Sequence, residues 1–362
     1  LKPFRLKPAR NTWPASRLSP AGARALHMKA GASVESARRA GPSSASLRRR
    51  ASHAGTWYAG DGRQLQDAIR ELLGREYAEG AVPSADLKAT IVPHAGLSYS
   101  GGVAAAAYSR LDARTVRRII MLGPSHHAPV AGCGIPGPRV TVYQTPIGDL
   151  PLDTGALAAL RATGGFEELP MAVDEAEHSL EMQLPFLAEL FLHGPARDSP
   201  PPGLVPILVG GTSAQDEAYY GRLLAPYLAE EGSLFIVSSD FCHWGARFSY
   251  TRTGARALAE TYRDGPYPEN AGIEGLDRAG MALIARRDAA GFRKYLTQEA
   301  NTICGRHPIL VLLETLDASR AAHSVDFIRY EQSSAMPGQP PPRTASVSYA
   351  CACCKAAPED AT

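Results

Sequence analysis

The chain has 362 residues, 44% hydrophobic, 20% charged and 7% aromatic, the composition of an ordinary globular protein, and no run approaches the ~18 consecutive apolar residues of a membrane-spanning helix. The net charge of +2 divides unevenly: residues 1–50 hold 12 Lys and Arg against the single acid Glu35, which leaves the remainder at −9. An acidic folded part excludes nucleic acid and an anionic membrane as the main partner.

The first 50 residues scatter Pro3, Pro8, Pro14, Pro20 and Pro42 among serines, end in Arg48-Arg49-Arg50 and carry no apolar period. They are expected to be a disordered basic leader, either an organelle transit peptide or translated upstream sequence. From Ser52 the texture changes. Strands are expected at 88–93, 118–122, 204–209, 233–239, 325–331 and 344–350. Helices are expected through 104–108, at 154–162, 177–192, 214–229, 249–262, 276–287 and 307–318. The Pro-rich stretches 195–206 and 336–342 read as surface loops. This alternation predicts a single α/β domain over 51–350, with a central, mostly parallel or mixed sheet flanked by helices. Residues 351–362 read as a mobile Cys-rich tail, whose clustered thiols would collect Cu(I) or Zn(II) if they act at all. Six cysteines in this length form no disulfide framework. The reading is therefore a reducing, cytoplasmic setting, with an organelle as the alternative if the leader is a transit signal.

Three expected strands end in metal-capable residues: Pro93-His94-Ala95-Gly96, Gly123-Pro124-Ser125-His126-His127 and Ser238-Ser239-Asp240-Phe241-Cys242-His243. Ligands of open α/β sheets bind outside the carboxyl ends of strands, so the three predict one convergent pocket. A single histidine of this kind is more often structural; the coincidence of three strand ends reverses that. Cys304, in Thr302-Ile303-Cys304-Gly305-Arg306-His307-Pro308, precedes a helix expected to start near Pro308. There, beside Arg306, its thiol is expected to be more acidic than usual, unless it is a buried inert thiol. In Glu177-His178-Ser179-Leu180-Glu181, His178 and Glu181 would share a helix face at i, i+3, either as ligands or as partners that fix another imidazole.

These segments, with the opening Ala51-Ser52-His53-Ala54-Gly55-Thr56-Trp57-Tyr58, Ser238-Ser239-Asp240-Phe241-Cys242-His243-Trp244-Gly245 and the closing Ser346-Val347-Ser348-Tyr349, resemble the motifs of the Memo family in order over about 51–350. The resemblance implies the α/β fold of class III extradiol dioxygenases, non-haem iron enzymes that hold Fe(II) with two histidines and a carboxylate. In the Memo family a cysteine stands where the carboxylate would be. Carried over to this sequence, His94, His126 and Cys304 would hold one copper or iron ion per chain, with no organic cofactor. Asp240 and His243 would stand beside the metal as acid/base groups. His127, His178, Glu181, Trp57, Tyr99 and Arg306 are the further pocket candidates, and His53 is placed near the pocket by the opening motif. Eukaryotic members are associated with copper or iron binding, redox chemistry and phosphotyrosine-receptor signalling in cell motility.

A thiolate ligand makes the site softer, favouring Cu(I), Fe(II) or Zn(II), and is itself open to oxidation near O₂. The expected function is therefore metal-dependent redox chemistry, with His243 as proton shuttle and Asp240 orienting it. The alternatives are a non-catalytic adaptor that grips a phosphotyrosine peptide, using Arg306 and His243 for charge and Trp57 and Tyr99 as walls, and an Fe(II) extradiol-type dioxygenase.

Overall fold

The computed structural model describes residues 45–252, 271–333 and 345–356, and these belong to one compact unit. Unbroken apolar runs such as Ile119–Leu122 and Leu234–Val237 bury both faces, which only a sheet covered on both sides allows. In chain order the strands are β1 (Leu47–Arg49), β2 (Leu87–Val92), β3 (Arg118–Pro124), β4 (Cys133–Pro136), β5 (Val140–Thr145), β6 (Gly148–Pro151), β7 (Phe166–Leu169), β8 (Gly203–Val209), β9 (Ser233–Ser238), β10 (His243–Trp244), β11 (His323–Gln332) and β12 (Ser346–Ala356). The helices are α1 (Gly62–Ala78), α2 (Leu97–Tyr108), α3 (Thr154–Ala162), α4 (Met171–Ala176), α5 (Leu184–Ala188), α6 (Ala214–Ala229), α7 (Ala271–Ala285), α8 (Ala289–Glu299) and α9 (Arg306–Ser319).

The main sheet runs β11-β12-β2-β9-β3-β8-β4-β7, with the two-residue β10 on the first residues of β12. Strands β2, β9, β3 and β8 are mutually parallel, while β12 is antiparallel to β2 and β4 to β8. It is the mixed, mostly parallel sheet that the alternating elements predict. Helix α2 packs on β2, β11 and β12, and the paired α6 and α9 pack on β9. A smaller sheet, β1-β5-β6, stands apart.

Both expected domain boundaries move. Leu47–Arg49 pairs in parallel with β5, and Arg49 is 1% exposed, held by Asp174 and Glu181 at 3.0 and 2.6 Å. The folded part thus includes residues ahead of 51; residues 1–44 lie outside the described residues. At the other end β12 continues to Ala356, pairing Cys353 with Thr90 on one side and Asp326 on the other. Cys351, Cys353 and Cys354 are therefore sheet residues, at most 2% exposed, and not a tail able to collect metal. Small and apolar, they pack as hydrophobes do.

The helix expected over 177–192 is also broken. Helix α4 stops at Ala176, Glu177 is extended (φ −85°, ψ 129°), and a 3-10 turn (Glu181–Gln183), α5 and a π turn (Glu189–His193) follow. Of the helix expected at 249–262, residues 253–262 lie outside the described residues. Helix α1, not expected, repeats Leu65, Ile69 and Leu73 at i, i+4 behind an Asp61 side chain that caps the Gln64 amide.

Candidate metal centre

The register Val92↔Ser238 between β2 and β9, with Leu122↔Val237 between β3 and β9, brings three carboxyl ends level. His94 and Asp240 follow two residues beyond β2 and β9, and His126 two beyond β3. Two glycines let the surrounding loops close in. A Cβ on Gly123 would lie 2.7 Å from Ser179 Oγ, and one on Gly305 would lie 2.3 Å from Ser239 Cβ. The second contact brings Cys304, just ahead of α9, against the end of β9.

One nitrogen from each of His94, His126 and His178 lies within 4.8 Å of the other two, so the three imidazoles form a group able to hold a metal ion. His94 is buried, its amide donating to Asp240 Oδ1 at 2.8 Å and its Nδ1 2.8 Å from Ser238 Oγ. His126 is held by Glu177, whose Oε2 accepts its amide at 2.6 Å and whose Oε1 is 2.9 Å from its Nδ1. In both rings this commits Nδ1 and leaves Nε2 for a ligand. His178 stacks between Trp57 (4.2 Å) and His126 (4.5 Å), and its buried Nδ1 has no hydrogen-bond partner. An unsatisfied buried imidazole nitrogen is what a ligating histidine presents before its ion arrives.

The electrostatics suit neutral, ligating imidazoles. Burial, reinforced by the neighbouring His126, holds His94 well below the usual histidine range, and burial beside His94 and His126 lowers His178 to about 2. Burial alone would raise Glu177, but its hydrogen bonds from His126 overturn this and keep it an anion. Asp240 is raised by its burial.

Cys304 Sγ lies 3.3 Å from His94 Nε2, although it falls outside the three-histidine group. Its thiol is not acidified as the sequence suggested. Burial and the Asp240 carboxylate push it above the ordinary range, against weaker help from Arg306 and the Asp240 and Gly305 amides. His243 donates its amide to Thr302 Oγ1 at 2.7 Å, and its Nδ1 sits 2.9 Å from Phe241 O. His94, His126, His178, Asp240, His243 and Trp57 line a cavity of about 490 Å³, with Tyr99, 65% exposed, at its edge.

Three sequence candidates stand elsewhere. Arg306, the first residue of α9, lines a separate cavity with Glu217, Arg293 and His307. Glu181 shares no helix face with His178, since the helix has broken between them. Its carboxylate, lowered to about 2 despite burial, is taken up by Arg49, His53 Nδ1 (2.9 Å) and Tyr58 (2.7 Å). It supports the pocket at one remove, because His53 meets the Trp57 ring edge-on at 5.9 Å. His127 is exposed, its ring centroid 5.6 Å from that of His178 and outside the cavity lining. Sequence reading missed Glu177, Ser238 and Gln183 as the residues that orient the imidazoles. Only Glu177, an acid next to His178 in chain order, carried a visible signal.

Among the described residues no helix is long and apolar enough to cross a membrane. Residues 49–353 match the family described as Memo-like protein. Protein MEMO1 of Danio rerio is 42% identical over 290 residues, covering 79% of this chain and 91% of the relative. Its Homo sapiens counterpart is 40% identical over 289 residues with the same coverage. Protein memo-1 homolog of Caenorhabditis elegans is 37% identical, over 79% of this chain and 77% of its own. A solved structure, that of uncharacterized protein JW3007 from Escherichia coli K12, covers 72% of this chain and 98% of its own at 14% identity and a TM-score of 0.36. On the family match and on relatives near 40% identity along most of their length, the chain belongs to the Memo-like protein family.

Proposed function

We propose that the protein holds one copper or iron ion through His94, His126 and Cys304 and serves metal-dependent redox chemistry in the cytoplasm. The observation that carries this is the 3.3 Å between Cys304 Sγ and His94 Nε2. Two ligands of one tetrahedral ion, at about 2.3 Å for sulfur and about 2.0 Å for nitrogen, stand ~3.5 Å apart. His178 is the competing third ligand, on the strength of its grouping with His94 and His126 and of an Nδ1 that no hydrogen bond claims. Bound there, the ion would supply one-electron exchange. The chain's own groups supply the rest. Phe241 O engages His243 Nδ1, which leaves Nε2 to take up or hand over a proton at the cavity wall. Asp240, raised by burial, fixes the His94 backbone through its Oδ1. Trp57 covers His178, and Phe248 meets His243 edge-on at 5.2 Å.

The test is anaerobic titration of the full chain with Cu(I) and with Fe(II), with elemental analysis, beside His94→Ala and Cys304→Ala. One equivalent that is lost in His94→Ala and weakened in Cys304→Ala supports the reading. No bound metal in a folded protein sinks it. A second reading, an adaptor for a phosphotyrosine peptide, draws on Tyr99 and Arg247, both exposed at the same cavity. Peptide binding that survives metal stripping and His94→Ala would favour it. The soft thiolate weighs against an Fe(II) extradiol-type dioxygenase, which oxygen uptake with a panel of catechols would reveal.

A further inference from the structure

Behind His94 lies a chain of buried polar groups that makes no contact with the cavity. Ser238 Oγ meets three partners: Ser179 O at 2.7 Å, Gln183 Nε2 at 2.9 Å and His94 Nδ1 at 2.8 Å. Gln183 Nε2 also reaches Pro93 O at 3.1 Å, while its Oε1 accepts from the Tyr108 hydroxyl at 2.8 Å. Tyr108 is in turn stacked on Phe186 with ring centroids 4.8 Å apart. Ser238, Gln183 and Tyr108 are each at most 1% exposed, so water cannot replace any partner.

The proton count in this chain has one solution. Pro93 O can only accept, so the Gln183 amide must turn its NH₂ toward Pro93 and Ser238. Ser179 O can also only accept, and at 2.7 Å two oxygens need a hydrogen between them. The single Ser238 proton therefore goes to Ser179 O. One lone pair of Ser238 is taken by Gln183, and the other is left for His94. A lone pair accepts, so His94 Nδ1 must carry the hydrogen, and its Nε2 must be the bare nitrogen that faces Cys304.

We propose that Ser238 is a positioning residue for the metal centre: it locks His94 as the Nδ1–H tautomer, with the Ser179 carbonyl aiming its hydroxyl and Gln183 and Tyr108 holding it in place. The link to metal affinity rests on the reading given under Proposed function; the tautomer itself does not. Without Ser238 the Nδ1 proton has no acceptor, and the ring is free to carry its proton on Nε2, where it blocks coordination.

The test uses the full chain, metal-free and ¹⁵N-histidine labelled, with long-range ¹H–¹⁵N NMR to read which ring nitrogen of His94 bears hydrogen. The wild type is expected to show Nδ1–H alone. Ser238→Ala is expected to show a mixture or Nε2–H, with Fe(II) bound roughly 10- to 100-fold more weakly, the usual cost of losing a group that orients a ligand. Ser238→Thr, which keeps the hydroxyl, is expected to hold the wild-type tautomer. Nε2–H in the wild type, or an unchanged tautomer in Ser238→Ala, overturns the proposal. The wild-type spectrum decides even if neither variant folds. A pure Nδ1–H ring in a protein that binds no Fe(II) would refute the metal reading and leave Ser238 in its tautomer-setting role.

Discussion

Cys304 and His178 compete to be the third ligand, and pH separates them. Binding by a thiol expels its proton, whereas a neutral imidazole expels none. In the metal-free protein the Cys304 thiol is pushed above its ordinary range by burial and by Asp240, so it stays protonated across pH 7.0–8.5. His94 and His178 are held below the usual histidine range and are already neutral there. Affinity should therefore rise tenfold per pH unit if Cys304 ligates, roughly 30-fold from pH 7.0 to 8.5, or about 2 kcal/mol at 1.36 kcal/mol per unit. The sign is fixed: higher pH means tighter binding. The assay is anaerobic competition of Co(II) between the protein and a chelator of known pH dependence. A thiolate-to-Co(II) charge-transfer band gives an independent view of sulfur ligation. Cys304→Ala should lose both the band and the slope. A wild-type affinity that is flat over this range, with no thiolate band, would falsify ligation by Cys304 and leave the three histidines as the donor set.

Glu177→Ala strands the His126 amide, its Nδ1–H and the Ser179 amide together, so Co(II) affinity should fall about 10- to 100-fold in the same competition; a change under threefold refutes the orienting role. Arg49→Met leaves the Asp174 and Glu181 carboxylates buried without their cation and should cost about 3–5 kcal/mol in urea unfolding. A loss below 1 kcal/mol would show that the carboxylates find other partners. Ending the chain at Ala350 removes the part of β12 that pairs with β2 on one side and β11 on the other, and should abolish cooperative unfolding; a sharp wild-type-like transition would contradict the register. The Asp277 carboxyl, pushed up to about 6 by burial, should titrate near that pH in ¹³C NMR. Because its folded value lies above the unfolded one, its contribution to stability is full below pH ~4. It is lost as pH rises through ~6, on the order of 3 kcal/mol.

How much of this was legible in the sequence depended on the range of the signal. The strand ends were visible because a buried parallel strand is a continuous apolar run that stops at polar, turn-forming residues, as at Val92-Pro93-His94 and Leu122-Gly123-Pro124. Level strand ends then bring His94, His126 and Asp240 together without further information. The Memo motifs narrowed the candidate ligands beyond what spacing could do. The features that were not legible all depend on partners far apart in the chain. Arg49 looked like the end of a basic leader because its anchors, Asp174 and Glu181, stand 125 and 132 residues away. Cys351–Cys354 looked like a thiol cluster because β2, which pairs with it on one side, stands at the other end of the chain, 262 residues away between Thr90 and Ala352.

The acidity expected of Cys304 failed for a related reason. A helix start and a neighbouring arginine are local features that lower a thiol's pKa, but desolvation and the Asp240 carboxylate arrive through the fold and outweigh them. The same carboxylate that raises the thiol fixes the His94 backbone, so removing it would act on both groups at once. Ligand identity at this centre is thus set less by Cys304, His94 or His178 singly than by the groups behind them. Glu177 holds His126, Ser238 holds His94, and His178 Nδ1 lies 3.3 Å from Glu177 Oε1 without a hydrogen bond to it. That asymmetry leaves His178 with the least firmly held ring nitrogen of the three. Its ring plane is nonetheless clamped between Trp57 and His126, so whether it joins Cys304 or replaces it is what the pH dependence decides.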